Sequence, residues 1–153
     1  MNFDIRDLYF DHVIKYCNRQ LKKDWQDGIL LLEDLSLLKD IYQTGPILFT
    51  FESVENEPGV ADFTYYMPIN DAVLIEDDPY YEYLPNLYIQ DALALRQADQ
   101  TVDFQAAYEK LVNYANDQNI PIGETFYCVL LEAYGEYIID LYVPVERRGE
   151  FLI

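Results

Sequence analysis

Tyr66-Met67-Pro68-Ile69 and Tyr142-Val143-Pro144-Val145 are one phrase written twice, 76 residues apart. Ahead of each copy lies the same plan: a leucine- or tyrosine-rich helical stretch, a glycine (Gly45, Gly123), an apolar strand, a turn, and a second strand that ends in the phrase. A period of this size marks a supersecondary unit rather than a short solenoid repeat. The chain is therefore expected to be one α+β domain of two βαββ units related by a pseudo-twofold axis, an antiparallel sheet with its helices on one face. The units are expected over about 8–70 and 87–146, and an acidic linker over about 71–86 joins them.

The elements follow from local signals. Leu8 to Leu21 holds Tyr9, Phe10, Val13, Ile14 and Tyr16 and reads as the opening strand. Asp24 is placed to cap a helix whose Trp25, Ile29, Leu32, Leu35 and Leu38 recur at helical spacing, and Thr44-Gly45-Pro46 is its expected end. Ile47–Val54 and Ala61–Ile69 form a hairpin around Glu55-Asn56-Glu57-Pro58-Gly59. Glu76-Asp77-Asp78-Pro79-Tyr80-Tyr81-Glu82-Tyr83-Leu84-Pro85 reads as the connector, being too polar and proline-punctuated for a core element. The second unit runs through a strand at Leu87–Arg96 and a helix capped by Thr101 with Phe104, Tyr108, Leu111 and Ala115 on one face. Ile120-Pro121-Ile122-Gly123 stops that helix, and a hairpin around Gly135-Glu136 completes the unit.

Composition narrows the partners. The 153 residues are 51% apolar, as in an ordinary globular domain, but carry a formal charge of −18 and fifteen tyrosines. Lys22-Lys23 and Arg147-Arg148 are isolated basic pairs among carboxylates, so direct nucleic-acid binding is not expected. The same field attracts cations and basic protein surfaces. The opening Met1-Asn2-Phe3-Asp4 lacks a signal-peptide pattern, and no apolar run has the length of a membrane span, so a cytoplasmic protein is expected. Cys17 and Cys128 have no metal-ligand spacing, a glycine-rich phosphate loop is missing, and His12 is the single histidine. No cofactor or metal is expected, and catalysis is disfavoured.

The tandem plan from Gly45 to Ile69 and from Gly123 to Val145, with the helix before each, resembles the GyrI-like small-molecule-binding domain, which also forms the effector-binding half of AraC- and MerR-type regulators. The resemblance implies a groove between the units that takes aromatic, often cationic, compounds on tyrosines and a buried acid. The family's acid lies four residues before the final strand's proline, and Asp140 stands there in place of the usual glutamate. Thr64 fills the matching place in the first unit. The chain lacks a helix-turn-helix segment, so the resemblance implies a stand-alone module.

Strand alternation places Tyr127, Val129 and Leu131 on one side of the second hairpin with Ile138, Asp140 and Tyr142. The apolar set Cys128, Leu130, Ile139, Leu141 and Val143 takes the other side, against the helix. Two tyrosines beside one carboxylate suit a flat cation. The same reading of the first hairpin gives Phe49, Phe51, Thr64 and Tyr66 as an opposing wall. Asp140, between Ile139 and Leu141, needs solvent, an internal donor or a ligand if it is buried. Glu132 is expected to be solvated near the turn and His12 to be structural. The expected function is binding of a small aromatic or cationic ligand. The alternative is an acidic interaction module that binds or inhibits a basic protein through Glu76–Glu82, and hydrolysis by Asp140 with a tyrosine hydroxyl is a minor third.

Overall fold

A computed structural model describes residues 3–38, 40–75, 78–97, 104–133 and 136–146. Its elements are β1 (Phe3–Leu21), a 3-10 turn (Lys22–Asp24), α1 (Asp27–Leu38), β2 (Leu48–Ser53), β3 (Val60–Pro68), β4 (Tyr81–Gln97), α2 (Phe104–Asp117), β5 (Tyr127–Ala133) and β6 (Glu136–Pro144). The fold is α+β, with antiparallel pairing throughout each unit. The chain divides into Tyr9–Tyr88, the N-terminal unit, and Met1–Leu8 with Ile89–Ile153, the C-terminal unit. The N-terminal unit orders its strands β1-β3-β2 and the C-terminal unit β4-β6-β5.

These boundaries correct the expected ones. Tyr81-Glu82-Tyr83-Leu84-Pro85 is the start of β4 and not part of a linker. Tyr81 and Tyr83 are half-buried while Glu82 is exposed, an alternation that a strand accommodates, and Pro85 is itself exposed. Glu76 and Asp77 lie outside the described residues. β1 and β4 are long, at 19 and 17 residues, and each holds one residue in the left-handed region, His12 (φ 56°) and Asp91 (φ 50°). His and Asp are among the few non-glycine residues that adopt this conformation readily. Phe3–Leu8 is held in the C-terminal unit by stacking of Phe3 on Tyr114, centroids 4.0 Å apart, and by the Asp91 N–H, which donates to Asp7 Oδ1 at 2.7 Å.

Both helices end earlier than the glycines suggest. Asp40 (φ 54°) and Asn119 (φ 57°) take the left-handed position, and the amides of Ile41 and Ile120 reach back to the Ser36 and Ala115 carbonyls at 3.0 and 2.8 Å. This is the Schellman closure, and Asp and Asn perform it without glycine. The expected cap residue Thr101 lies outside the described residues. The residues after each helix then meet the repeated phrase: Thr44 N–H donates to the Pro68 carbonyl at 3.0 Å and Gly123 N–H to that of Pro144 at 3.2 Å. Ile69 and Val145, next along, donate to the carbonyls of His12 and Asp91. A proline that cannot donate stands at the last residue of each strand, where the ladder needs no donor.

In the C-terminal unit, Leu111 and Ala115 of α2 are fully buried, as are Cys128, Leu141 and Val143 of the sheet. In the N-terminal unit Ile29 and Leu32 of α1 cover an aromatic layer. Trp25 stacks on Phe49 at 5.5 Å, and Phe49, Phe63 and Tyr65 lie within 6.1 Å of one another. The Tyr65 hydroxyl donates to the Trp25 carbonyl at 2.6 Å and accepts from Gln20 Nε2 at 2.7 Å, and burial pushes its pKa up. Gly28 lies so close to the Tyr65 ring that a Cβ there would run into it.

Candidate functional site

The register of the second hairpin sets its faces. Tyr127 stands opposite Tyr142 and Val129 opposite Asp140, so these four share the side away from Cys128 and Leu141. β4 adds Ala94 beside Tyr142 and Arg96 beside Asp140. The structure thus brings Tyr127, Asp140 and Tyr142 together, as alternation predicts. Asp140 is 5% exposed, and its internal donor is Arg96. Nε donates to Oδ1 at 3.0 Å and Nη2 to Oδ2 at 3.2 Å. The arginine is the wet partner, its side chain 55% exposed against 7% for the acid. Hydrogen bonding and then Coulomb attraction from Asp140 raise the pKa of the guanidinium.

The two tyrosines differ in setting. Tyr127 is half-buried, and desolvation raises its hydroxyl pKa. Tyr142 is buried, and its hydroxyl acts on Arg6, whose pKa is raised first by Asp4 and then by Tyr142. A cationic group therefore stands beside two of the three polar members of the face, Asp140 and Tyr142. Neither arginine was legible as a site residue: Arg6 and Arg96 lie on strands that are remote in sequence from β6, and Arg96 meets Asp140 only through the register of β4 on β6.

The wall expected in the first unit is corrected. Ser53 faces Ala61, so odd-numbered residues of β2 oppose odd-numbered residues of β3, and Phe49 and Phe51 stand opposite Tyr65 and Phe63. In the second hairpin Ala133 faces Glu136, so odd opposes even. The paired ends enclose seven residues in the first hairpin and two in the second, and an odd difference in loop length reverses the faces. Phe49 and Phe51 consequently belong to the aromatic layer under α1, and only Thr64 and Tyr66 of the four share the other side, with Leu48 and Thr50. β1 lays Lys15 beside Tyr66 and Cys17 beside Thr64. Where the C-terminal unit has Arg96 on Asp140, the N-terminal unit has the Cys17 thiol donating to Thr64 Oγ1 at 3.7 Å.

A cavity of about 300 Å³ opens within the N-terminal unit, lined by Lys15, Cys17 and the segment Asp78–Glu82. Asp78 Oδ1 shapes its rim by accepting from the Tyr80 and Tyr81 amides at 2.8 and 3.3 Å, and Lys15 Nζ stands 3.8 Å from Glu82 Oε2. His12 is turned to structure: its Nδ1 shares a 2.6 Å hydrogen bond with the Tyr83 hydroxyl. The side chain of Glu132 lies outside the described residues. Among the described residues no group of His, Cys, Asp and Glu is placed to hold a metal, and no helix is long and apolar enough to cross a membrane.

The chain superposes on the EcmrR C-terminal domain with a TM-score of 0.67 at 13% identity, covering 95% of this chain and 99% of that one. It also matches SAV2435 bound to tetraphenylphosphonium, with a TM-score of 0.56, 11% identity and coverages of 96% and 95%. A hydrolase from Listeria innocua matches with a TM-score of 0.54, 9% identity and coverages of 93% and 91%. Identities this low show the fold alone, a GyrI-like fold shared with these domains. No curated protein matches the chain. The family model for DUF5085, a domain of unknown function, matches residues 8–147, and the chain belongs to that family.

Proposed function

We propose that the protein is a binding module for a small aromatic cation, held on the Tyr127, Asp140 and Tyr142 face, with no catalytic step. The observation that carries this reading is a nearly fully buried carboxylate whose partner is an arginine half in solvent. Exchange of that guanidinium for a ligand cation leaves the acid paired at every stage. The arginine is well placed to leave, since water already reaches half of it. Tyr127 and Tyr142 supply ring faces, and cation–π attraction adds about 0.5 to 2 kcal/mol depending on desolvation. The charge of −18 concentrates cations near the surface before binding. Thr64 and Tyr66 are proposed as an uncharged binding face on their own unit's sheet, while Phe49 and Phe51 lie in the aromatic layer under α1.

Tetraphenylphosphonium and a rhodamine dye serve as probes in a fluorescence or calorimetric titration of the whole chain. Asp140→Asn weakens binding, and Arg96→Gln strengthens it by removing the competing cation. Equal affinity for the parent and Asp140→Asn removes the acid from the site; weaker binding by Arg96→Gln shows that the arginine holds the ligand and does not yield to it.

A further inference from the structure

α1 packs on β3 and α2 on β6, yet their outer faces differ in kind. α2 turns Glu109, Lys110, Asn113, Asn116 and Asp117 to solvent, the usual polar back of an amphipathic helix. α1, Asp-Gly-Ile-Leu-Leu-Leu-Glu-Asp-Leu-Ser-Leu-Leu, buries Ile29 and Leu32 and also exposes Leu30 (56%), Leu31 (42%) and Leu37 (80%). A single exposed leucine calls for no explanation. Three stand exposed on this helix where α2 has none, and two of them, Leu30 and Leu37, share one face that lacks its cover.

The pattern of that face is specific. Leu30 and Leu37 are seven residues apart and lie within roughly 20° of each other around the axis, opposite Gly28 and Leu32. Glu33 falls on one flank of this stripe and Asp34 with Asp27 on the other, all three exposed. An apolar stripe between two rows of carboxylates is complementary to an apolar groove with a cationic rim. The same charges argue against other covers. A second copy would set Glu33 and Asp34 against their own images across a twofold, between chains of −18 each. An anionic lipid surface repels the same flanks.

We propose that the outer face of α1, centred on Leu30 and Leu37, is a docking surface for a partner protein that presents an apolar groove rimmed by lysine or arginine. This function is separate from ligand binding: it uses the opposite side of the N-terminal unit's α1 layer from the aromatic core and none of Tyr127, Asp140 and Tyr142. The leucines supply the contact area and the carboxylates set orientation and arrival rate.

The test uses the full chain and a synthetic helical peptide with leucines two turns apart flanked by lysines, together with a glutamate-flanked counterpart and a shuffled peptide of the same composition. Binding is read by fluorescence anisotropy at low and high salt. The lysine-flanked peptide binds the parent and loses at least roughly tenfold in affinity, about 1.4 kcal/mol, against Leu30→Gln/Leu37→Gln. Glu33→Gln/Asp34→Asn slows association and flattens the salt dependence. Because Leu37 is the most exposed of the three, Leu37→Gln alone serves where the double variant loses structure by circular dichroism. Equal binding of the shuffled peptide, or undiminished binding to the leucine variants, overturns the proposal. So does a concentration-dependent dimer in sedimentation that Leu30→Gln/Leu37→Gln dissolves, since the cover would then be a second copy. Titration of tetraphenylphosphonium against Leu30→Gln/Leu37→Gln is unchanged, which keeps this outcome apart from that of the ligand site.

Discussion

Arg96→Met and Asp140→Asn remove the two ends of one ion pair, and the structure predicts unequal costs. Losing the arginine leaves a carboxylate with 7% of its side chain in water and no donor in place. Breaking a fully buried pair costs about 3 to 5 kcal/mol, whereas a surface pair contributes about 0 to 1 kcal/mol. Arg96 is 55% exposed, so water can follow it into the gap, and about 2 kcal/mol is the expected loss for Arg96→Met. Losing the acid leaves a guanidinium that simply turns to solvent, and Asp140→Asn costs about 1 kcal/mol, one charge-assisted pairing replaced by a neutral one. For a chain of this length each kcal/mol moves the midpoint by about 2 to 4 °C, so Arg96→Met lowers Tm by roughly 4 to 8 °C and Asp140→Asn by about half of that. The double variant Arg96→Met/Asp140→Asn costs less than the sum, because the second change removes the group that the first left stranded. Urea unfolding followed by circular dichroism, with calorimetry as the second probe, measures all three. Costs that add, or a larger loss for Asp140→Asn, would refute the assignment of Asp140 as the desolvated partner.

Gly28→Ala gains about 1 kcal/mol of helix propensity but drives a methyl group into the buried Tyr65 ring, where overpacking costs about 1 to 3 kcal/mol. The variant is therefore expected to unfold at lower urea than the parent, and equal or greater stability would show that the ring yields. Cys128 is fully buried with its thiol pKa raised by desolvation, whereas Cys17 is part-exposed. One thiol reacts with a disulfide reagent in the native protein and the second only in denaturant. The raised folded value of Cys128 further means that its contribution is complete below the unfolded thiol's pKa near 8.5 and falls as pH rises past it, a slope that Cys128→Ala removes. Asp62 is depressed first by its hydrogen bond from Arg19, with Nε to Oδ1 at 2.7 Å. Its contribution is present above the unfolded pKa near 3.9 and disappears as pH falls through the lower folded value. Parent and Arg19→Gln thus differ at neutral pH and converge in acid.

How much of this was legible depended on whether a signal was local. The repeated proline phrase could be read because a residue without an N–H is confined to particular places on a strand, and both copies do close one. The Tyr127, Asp140 and Tyr142 face could be read because two residues separate β5 from β6, which leaves little freedom in register. The first hairpin could not, because its longer turn around Asn56 and Gly59 admits either parity, and the parity decides whether Phe49 and Phe51 face α1. The start of β4 was hidden by polarity: Tyr81–Pro85 is composed like a loop and is paired like a strand. Gly45 and Gly123 stood out as helix stops, but Asp40 and Asn119, which look unremarkable in a list of residues, make the closure. Arg96 was beyond reach, since its role arises only from a register between β4 and β6 that no local pattern encodes. Asp140 could be flagged as needing a partner without that partner being known.

The division of β1 has a consequence for how the protein is made. Phe3 to Leu8 precede the whole N-terminal unit in the chain, yet belong to the unit whose remaining strands follow it. With β3 completed, these residues still lack Tyr114 to stack on and the Asp91 amide to accept. They wait without these partners until Asp91 and Tyr114 have been made. Tyr81–Tyr88 of β4, in turn, are needed to finish the unit that begins first. Tyr9–Tyr88 is thus contiguous and can order once Tyr88 has been made, whereas the split C-terminal unit cannot complete its order until the strands after Tyr88 join Phe3–Leu8.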